Sequence, residues 1–213
     1  MRDGGYYEGE FVNGEITGQG TMKWPNGATY TGEFFEGEKH KNGILVFSNG
    51  DCYDGEWNYN DMHGKGTFTK KTGEITVGVF SNNKLEGYCE INNPIENWNF
   101  KGNCIGGKKN GHGKLENQST GETYEGEWAD NLEQGQGLYQ NTKTGIIYEG
   151  EFTKGKRSVV PNQIRFCQKA EAEEEEEEHH EQKGKLKQKR EKNVGEEDIS
   201  LSYEVGKEPL LTF

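Results

Sequence analysis

Tyr53-Asp54-Gly55-Glu56-Trp57 decides the fold, because close copies of it recur along the chain at almost constant intervals. The copies are Tyr7-Glu8-Gly9-Glu10-Phe11, Tyr30-Thr31-Gly32-Glu33-Phe34, Tyr124-Glu125-Gly126-Glu127-Trp128 and Tyr148-Glu149-Gly150-Glu151-Phe152. Weaker versions stand at Thr76-Val77-Gly78-Val79-Phe80 and Phe100-Lys101-Gly102-Asn103-Cys104. The lead positions 7, 30, 53, 76, 100, 124 and 148 are separated by steps of 23, 23, 23, 24, 24 and 24 residues. A fixed period in this range marks a repeat architecture, in which each unit leans on its neighbours instead of closing a core of its own.

Within each copy the lead aromatic, the Gly and the second aromatic stand at i, i+2 and i+4. In a strand they share one face while the intervening residues, mostly Glu, share the other. A helix would scatter them, and the frequent glycine would weaken it. Eleven residues after a lead position comes a second period-two pattern: Gly18-Gln19-Gly20-Thr21-Met22, Gly64-Lys65-Gly66-Thr67-Phe68, Gly111-His112-Gly113-Lys114-Leu115 and Gly135-Gln136-Gly137-Leu138-Tyr139. Glycines inside a strand signal close approach by a bulky group, here the rings of the neighbouring strand.

Seven residues after each lead stand Gly14, Gly37, Asn60, Asn83, Gly107, Asn131 and Gly155, the two residue types that best tolerate the left-handed conformation of a tight hairpin turn. Three residues before the next lead come Gly27, Gly50, Gly73, Asn97, Gly121 and Gly145, which mark the return turns. Each repeat therefore reads as a hairpin. The predicted fold class is all-β: an elongated single-layer antiparallel sheet of seven stacked hairpins over residues 1–158. A capping segment and charged, partly helical or disordered tail follow over residues 159–213.

Composition agrees with a thin, repetitive core: 29% of residues are hydrophobic, mean hydropathy is −1.08, and 29 of the 32 glycines precede Val159. Residues 1–158 carry 16 basic and 23 acidic side chains, and residues 159–213 carry 9 and 14, within a net charge of −12. That sign argues against sequence-independent binding to nucleic acid and disfavours attachment to anionic lipid, both of which need Lys and Arg to neutralise phosphates. Cys52, Cys89, Cys104 and Cys167 lack CxxC spacing and the N-terminus lacks an apolar segment, so a reduced, intracellular protein is expected.

These motifs resemble the MORN (membrane occupation and recognition nexus) repeat, whose unit reads approximately Tyr-x-Gly-x-(Phe/Trp), a turn, then Gly-x-Gly and a further apolar residue. The resemblance covers about residues 7–157. It implies a curved ribbon of hairpins that serves as a scaffold or partner-binding groove, holding an extended or helical partner segment, and in some members a homodimer. Similarity to MORN proteins of axonemal radial spoke heads implies a non-catalytic role in a cytoskeletal assembly, with cytoplasmic, ciliary or flagellar location. The alternative implied by other family members is a peripheral membrane module that binds phosphoinositides.

The groove reading nominates Tyr30, Phe34, Tyr53, Trp57, Trp98, Tyr124, Trp128, Tyr148 and Phe152 as partner-binding aromatics, on the argument that an open sheet cannot cover both sides of such rings. Trp98 is expected on a bend or loop after Asn92-Asn93-Pro94, read either as a partner contact or as plain decay of the repeat. Lys41, Thr76, Cys89, Phe100 and Cys104 depart from the pattern, and repeats four and five are the weakest.

No catalytic constellation survives the repeat explanation. Glu pairs such as Glu8/Glu10 and Glu125/Glu127 read as the solvated face of a strand, and His63 and His112 flank a Gly-x-Gly strand. No GxxxxGK[ST] phosphate loop occurs. His179 and His180, beside the acidic run 173–178, are too few for a metal site. No cofactor and no metal are expected. The apolar residues Leu201, Tyr203, Val205, Leu210, Leu211 and Phe213 read as a docking peptide or a frayed end.

Overall fold

The structure, a computed structural model, describes residues 4–158 and 164–166. Each Tyr-x-Gly segment forms the leading strand of a hairpin: β1 (Tyr6–Val12), β3 (Thr29–Phe35), β5 (Cys52–Asn58), β7 (Ile75–Ser81), β9 (Trp98–Ile105), β11 (Glu122–Ala129) and β13 (Ile146–Thr153). The return strands are β2 (Glu15–Lys23), β4 (Glu38–Val46), β6 (Asp61–Thr69), β8 (Lys84–Asn93), β10 (Lys108–Asn117), β12 (Leu132–Asn141) and the short β14 (Lys156–Arg157). Every strand pairs antiparallel with the next in one open sheet, and no helix occurs among the described residues.

All seven hairpin turns place two successive residues at positive φ, from Asn13 and Gly14 (52° and 85°) to Lys154 and Gly155 (50° and 75°). This is the type I′ geometry whose twist matches that of paired strands. The second position is always the Gly or Asn foreseen, whereas the first admits Glu36, Tyr59 and Lys154. Neighbouring turns are also tied together. The backbone N–H groups of Gly37, Asn60, Asn83, Gly107, Asn131 and Gly155 donate to the carbonyls of Ile16, Lys39, Met62, Leu85, Lys109 and Glu133. Where the turn residue is Asn it adds a second bond, with Lys39 N, Met62 N and Lys109 N donating to the side-chain oxygens of Asn60, Asn83 and Asn131.

The other rim explains why the period changes from 23 to 24. After the first three hairpins the chain returns through three residues, closed by pairs such as Phe47 N to Asp51 O and Gly50 N to Phe47 O. From Asn93 onward, four residues separate the paired ends Asn93↔Trp98, Asn117↔Glu122 and Asn141↔Ile146. Asn93, Asn117 and Asn141 then accept from the amides of Glu96, Thr120 and Thr144. Such Asx turns lengthen each repeat by one residue without shifting the register of the strands. The segment expected to bend or loop before Trp98 is therefore a tight turn like its successors, and Trp98 begins β9.

The two glycines of the return strand do different work. In the third hairpin Gly55 pairs with Gly66 but Glu56 pairs with His63, so Gly64 and Lys65 bulge out of the ladder. Gly64 sits at φ 57°, as Gly18, Gly87, Gly111 and Gly135 do at positive φ in their own hairpins. The second hairpin has Lys41 there, at φ 49°. The second Glu of the motif serves this bulge: Lys65 N donates to Glu56 Oε1 at 2.9 Å. That side chain is accordingly a local cap, in addition to lying on the face assigned to solvent.

Sequence periodicity stops at Ser158, yet the sheet does not. A further strand, β15 (Ile164–Phe166), pairs with β13 through Tyr148↔Ile164 and Ile146↔Phe166, on the same side as β14. The last hairpin thus receives its return strand in two pieces. Packing divides the chain into a unit of Met1–Cys167 and a unit of Gln168–Phe213. The acidic run, the basic block and the apolar C-terminal residues of the expected tail lie outside the described residues.

Candidate functional site

The aromatic face is built on a line of glycines. Through successive strand pairings the line runs Gly9, Gly20, Gly32, Gly43, Gly55, Gly66 and Gly78, is interrupted by Cys89, and resumes with Gly102, Gly113, Gly126, Gly137 and Gly150. Tyr7, Tyr30, Tyr53 and Tyr124 lie over this line: a β-carbon added to Gly66 would fall 2.6 Å from Cζ of Tyr53. Their hydroxyls reach back to the bulge. Tyr30, Tyr124 and Tyr148 donate to the carbonyls of Glu33, Glu127 and Glu151, and Tyr53 lies 3.1 Å from the carbonyls of both Glu56 and His63. A bulge frees carbonyls from the ladder, and these phenols satisfy them. Burial first and nearby carboxylates second push the phenols of Tyr30 and Tyr53 well above their ordinary range and that of Tyr124 to about 12.

Ring edges are covered as well. Tyr30, Phe34, Tyr53, Trp57 and Phe80 form an unbroken run of edge-to-face pairs with centroids 5.0–5.5 Å apart. Phe100, Trp128, Tyr124, Phe152 and Tyr148 form a second run at 4.8–5.3 Å. Trp57 and Trp128 add indole N–H bonds to the carbonyls of Gly43 and Gly113. Eight of the nine nominated aromatics, Tyr30, Phe34, Tyr53, Trp57, Tyr124, Trp128, Tyr148 and Phe152, consequently keep no more than 4% of their surface exposed. They are core: a ring with glycine beneath it and rings on its edges has little left to offer a partner. Trp98 alone among them is half-exposed, its indole N–H donating to Glu96 Oε2 at 2.8 Å.

Between the two runs the aromatic series breaks. Thr76 stands where the ring should be, and Cys104 replaces the second aromatic. Cys89 occupies the glycine position that no ring now covers and is disulfide-bonded to Cys104, with Cα atoms 6.3 Å apart. Both cysteines are fully buried. Lack of CxxC spacing predicts reduced thiols, but strand register corrects this, bringing the two together as diagonal neighbours on β8 and β9. Cys52 keeps a free thiol, raised by burial and by Asp54.

What remains accessible on this face are the partly buried side chains around the rings, including Trp24, Phe47, Phe68, Trp98 and Leu115. Two lysines that the sequence reading did not single out lie among them. Lys39 Nζ lies 4.9 Å from the Trp57 ring centroid, and Lys109 Nζ lies 4.5 Å from that of Trp128. Burial lowers the affinity of both for their proton. The signal was positional, since the residue opposite the second-aromatic position of its own hairpin, held by Cys104 in the fifth, is Ile16, Lys39, Met62, Leu85, Lys109, Glu133 and Arg157 in turn. Among the described residues no group of three or more His, Cys, Asp or Glu could hold a metal.

No curated protein matches the chain. Among solved structures it is similar to "SAS-4 (dCPAP) TCP domain in complex with a Proline Rich Motif of Ana2 (dSTIL) of Drosophila Melanogaster", at 13% identity and a TM-score of 0.40, covering 76% of this chain and 96% of that one. A likeness at that score carries no argument here. The MORN repeat family model matches residues 7–29, 30–52, 53–75, 100–119, 124–143 and 148–160, passing over only the hairpin that contains Thr76 and Cys89. With the hairpin period, the glycine line and the stacked rings now placed, these matches span more than half of the sequence, and the chain belongs to the MORN repeat family.

Proposed function

We propose that the chain is a non-catalytic scaffold whose hairpin ribbon holds protein partners in a cytoskeletal assembly, with a ciliary or flagellar axoneme, of the radial spoke kind, as its setting. MORN repeats serve as protein-interaction or scaffold modules, and that family membership supports the coarse reading. The observation that carries it is the use of the motif residues. The Tyr hydroxyl and the bulge Glu are occupied within their own hairpin, and the rings fasten one hairpin to the next, which yields a continuous surface rather than a reactive centre. Partners then meet the half-exposed rim of the aromatic face and the opposite face of the sheet. A second copy of the chain is one such partner.

Proximity labelling in cells with the tagged full-length chain tests this reading. Enrichment of axonemal or other cytoskeletal proteins is expected, and a chain ended after Cys167 is expected to keep them. Enrichment of membrane proteins and lipid enzymes, together with salt-sensitive pelleting on phosphoinositide liposomes, would replace it with the phosphoinositide-binding reading.

A further inference from the structure

Lys39 and Lys109 occupy the same position in the second and fifth hairpins on the ring face, opposite Phe34 and opposite Cys104, which fills the second-aromatic position. Each ammonium sits among three rings: Trp24, Tyr30 and Trp57 around Lys39, and Trp98, Phe100 and Trp128 around Lys109. Neither belongs to an ion pair among the described residues, although Lys41, Lys70, Lys101, Lys108 and Lys114 all do. Asp61 and Glu38 act on Lys39, and Glu133 and Glu74 on Lys109, only through space. Cations drawn partly out of water without a counterion are costly. Ring faces recover part of that cost. At the equivalent positions Met62 and Leu85 cover the core without any charge, so packing alone does not require lysine.

We propose that Lys39 and Lys109 are paired recognition posts for the carboxylates of an acidic segment of a partner protein, laid across the strands on the aromatic face. Charge complementarity selects the occupant: the posts present two cations without an ion pair among the described residues, set among rings on a ribbon of net negative charge, and aliphatic Met62 and Leu85 lie between them. Lys39 is on β4 and Lys109 on β10, six strand spacings apart, which is about 29 Å along the sheet. A helix of about 19 residues spans that distance, with acidic side chains at its two ends and apolar ones between. The inference rests on the reading of the ribbon as a protein-interaction scaffold, and it names the partner's chemistry.

Fluorescence anisotropy with the full-length chain tests it. The probe is a labelled synthetic helical peptide of about 20 residues with Glu at both ends and Leu on one face between; its Lys-for-Glu counterpart is the control. The Glu peptide is expected to bind more tightly than the Lys peptide, against the sign of the net charge. Lys39→Met with Lys109→Met, which installs the residue of the third hairpin, should weaken binding tenfold or more at an unchanged unfolding midpoint, and Lys39→Arg with Lys109→Arg should retain it. No binding by the Glu peptide, equal or tighter binding by the Lys peptide, or wild-type affinity in the folded Met variant would overturn the proposal. Those results would leave the cytoskeletal reading standing, because proximity labelling decides that separately. If the Met variant loses its fold, the Arg variant against the wild type and the two peptides' relative affinity still decide.

Discussion

At Tyr53 and Gly66 a ring lies flat on a glycine, whereas one repeat later the same two positions hold Thr76 and Cys89, and the cross-link to Cys104 stands where the rings would have met. The two regions share strand register, bulge and turn geometry and differ only in what fills the face. Stacked rings hold neighbouring hairpins by burial and edge-to-face contact, while their hydroxyls bond bulge carbonyls of their own hairpin. The disulfide holds its pair covalently and needs no ring above it. The comparison shows that the return-strand glycines, such as Gly43 and Gly66, answer to the ring, whereas leading-strand glycines such as Gly32 and Gly55 also face neighbouring backbone. Remove the ring, and the position accepts a side chain.

The largest expected effect comes from breaking the covalent solution. Cys89→Ala with Cys104→Ala opens a cross-link of sequence separation 15 and should lower unfolding free energy by about 3 kcal/mol, read from urea denaturation without reductant. Next, Gly66→Ala forces the Tyr53 ring off its seat and should cost roughly 2 kcal/mol. An alanine at position 89 meets no ring, so in the presence of reductant Cys89→Ala should be close to neutral. If the two alanines behave alike under reducing conditions, the ring does not explain the glycine line.

Smaller changes sharpen the account. Tyr53→Phe keeps the ring but abandons the carbonyls of Glu56 and His63, at roughly 1–2 kcal/mol; Phe100→Tyr should change stability in the opposite direction. Lys41→Gly relieves a left-handed lysine at the bulge and should stabilise by roughly 0.5–1 kcal/mol. Its exposed ion pair with Glu33 contributes too little to reverse that sign. Thermal midpoints of the purified variants read both.

The contrast between regions also shows what a single sequence reveals. Period, hairpins, the glycine and asparagine turns and the ring-over-glycine stacking were legible, because each rests on local pattern and backbone sterics. Less legible were features that depend on register across strands. Cys89 and Cys104 meet only because β8 and β9 pair as they do, although a cysteine at a glycine position in the one strong-motif gap was a readable hint. The distinct roles of Gly64 and Gly66 needed the bulge. The last hairpin's second piece, β15, follows an interruption that hides it from any periodic search. For the candidate site, the sequence nominated the rings, of which eight lie in the core and Trp98 is half-exposed. How completely glycine and neighbouring rings cover Tyr53 is a three-dimensional fact, and the half-buried cations Lys39 and Lys109 were invisible until Trp57 and Trp128 were placed beside them.

The central claim is that one continuous sheet is held by two runs of rings joined through a disulfide-linked middle. Amide hydrogen exchange on the full-length chain, with and without a dithiol reductant, tests it most directly. The account predicts strong protection across β3–β12 when oxidised, and on reduction a selective loss of tenfold or more in β7, β8 and β9 while β3–β6 and β11–β12 hold. Equal loss along the whole sheet, or no change in the middle strands, would contradict it.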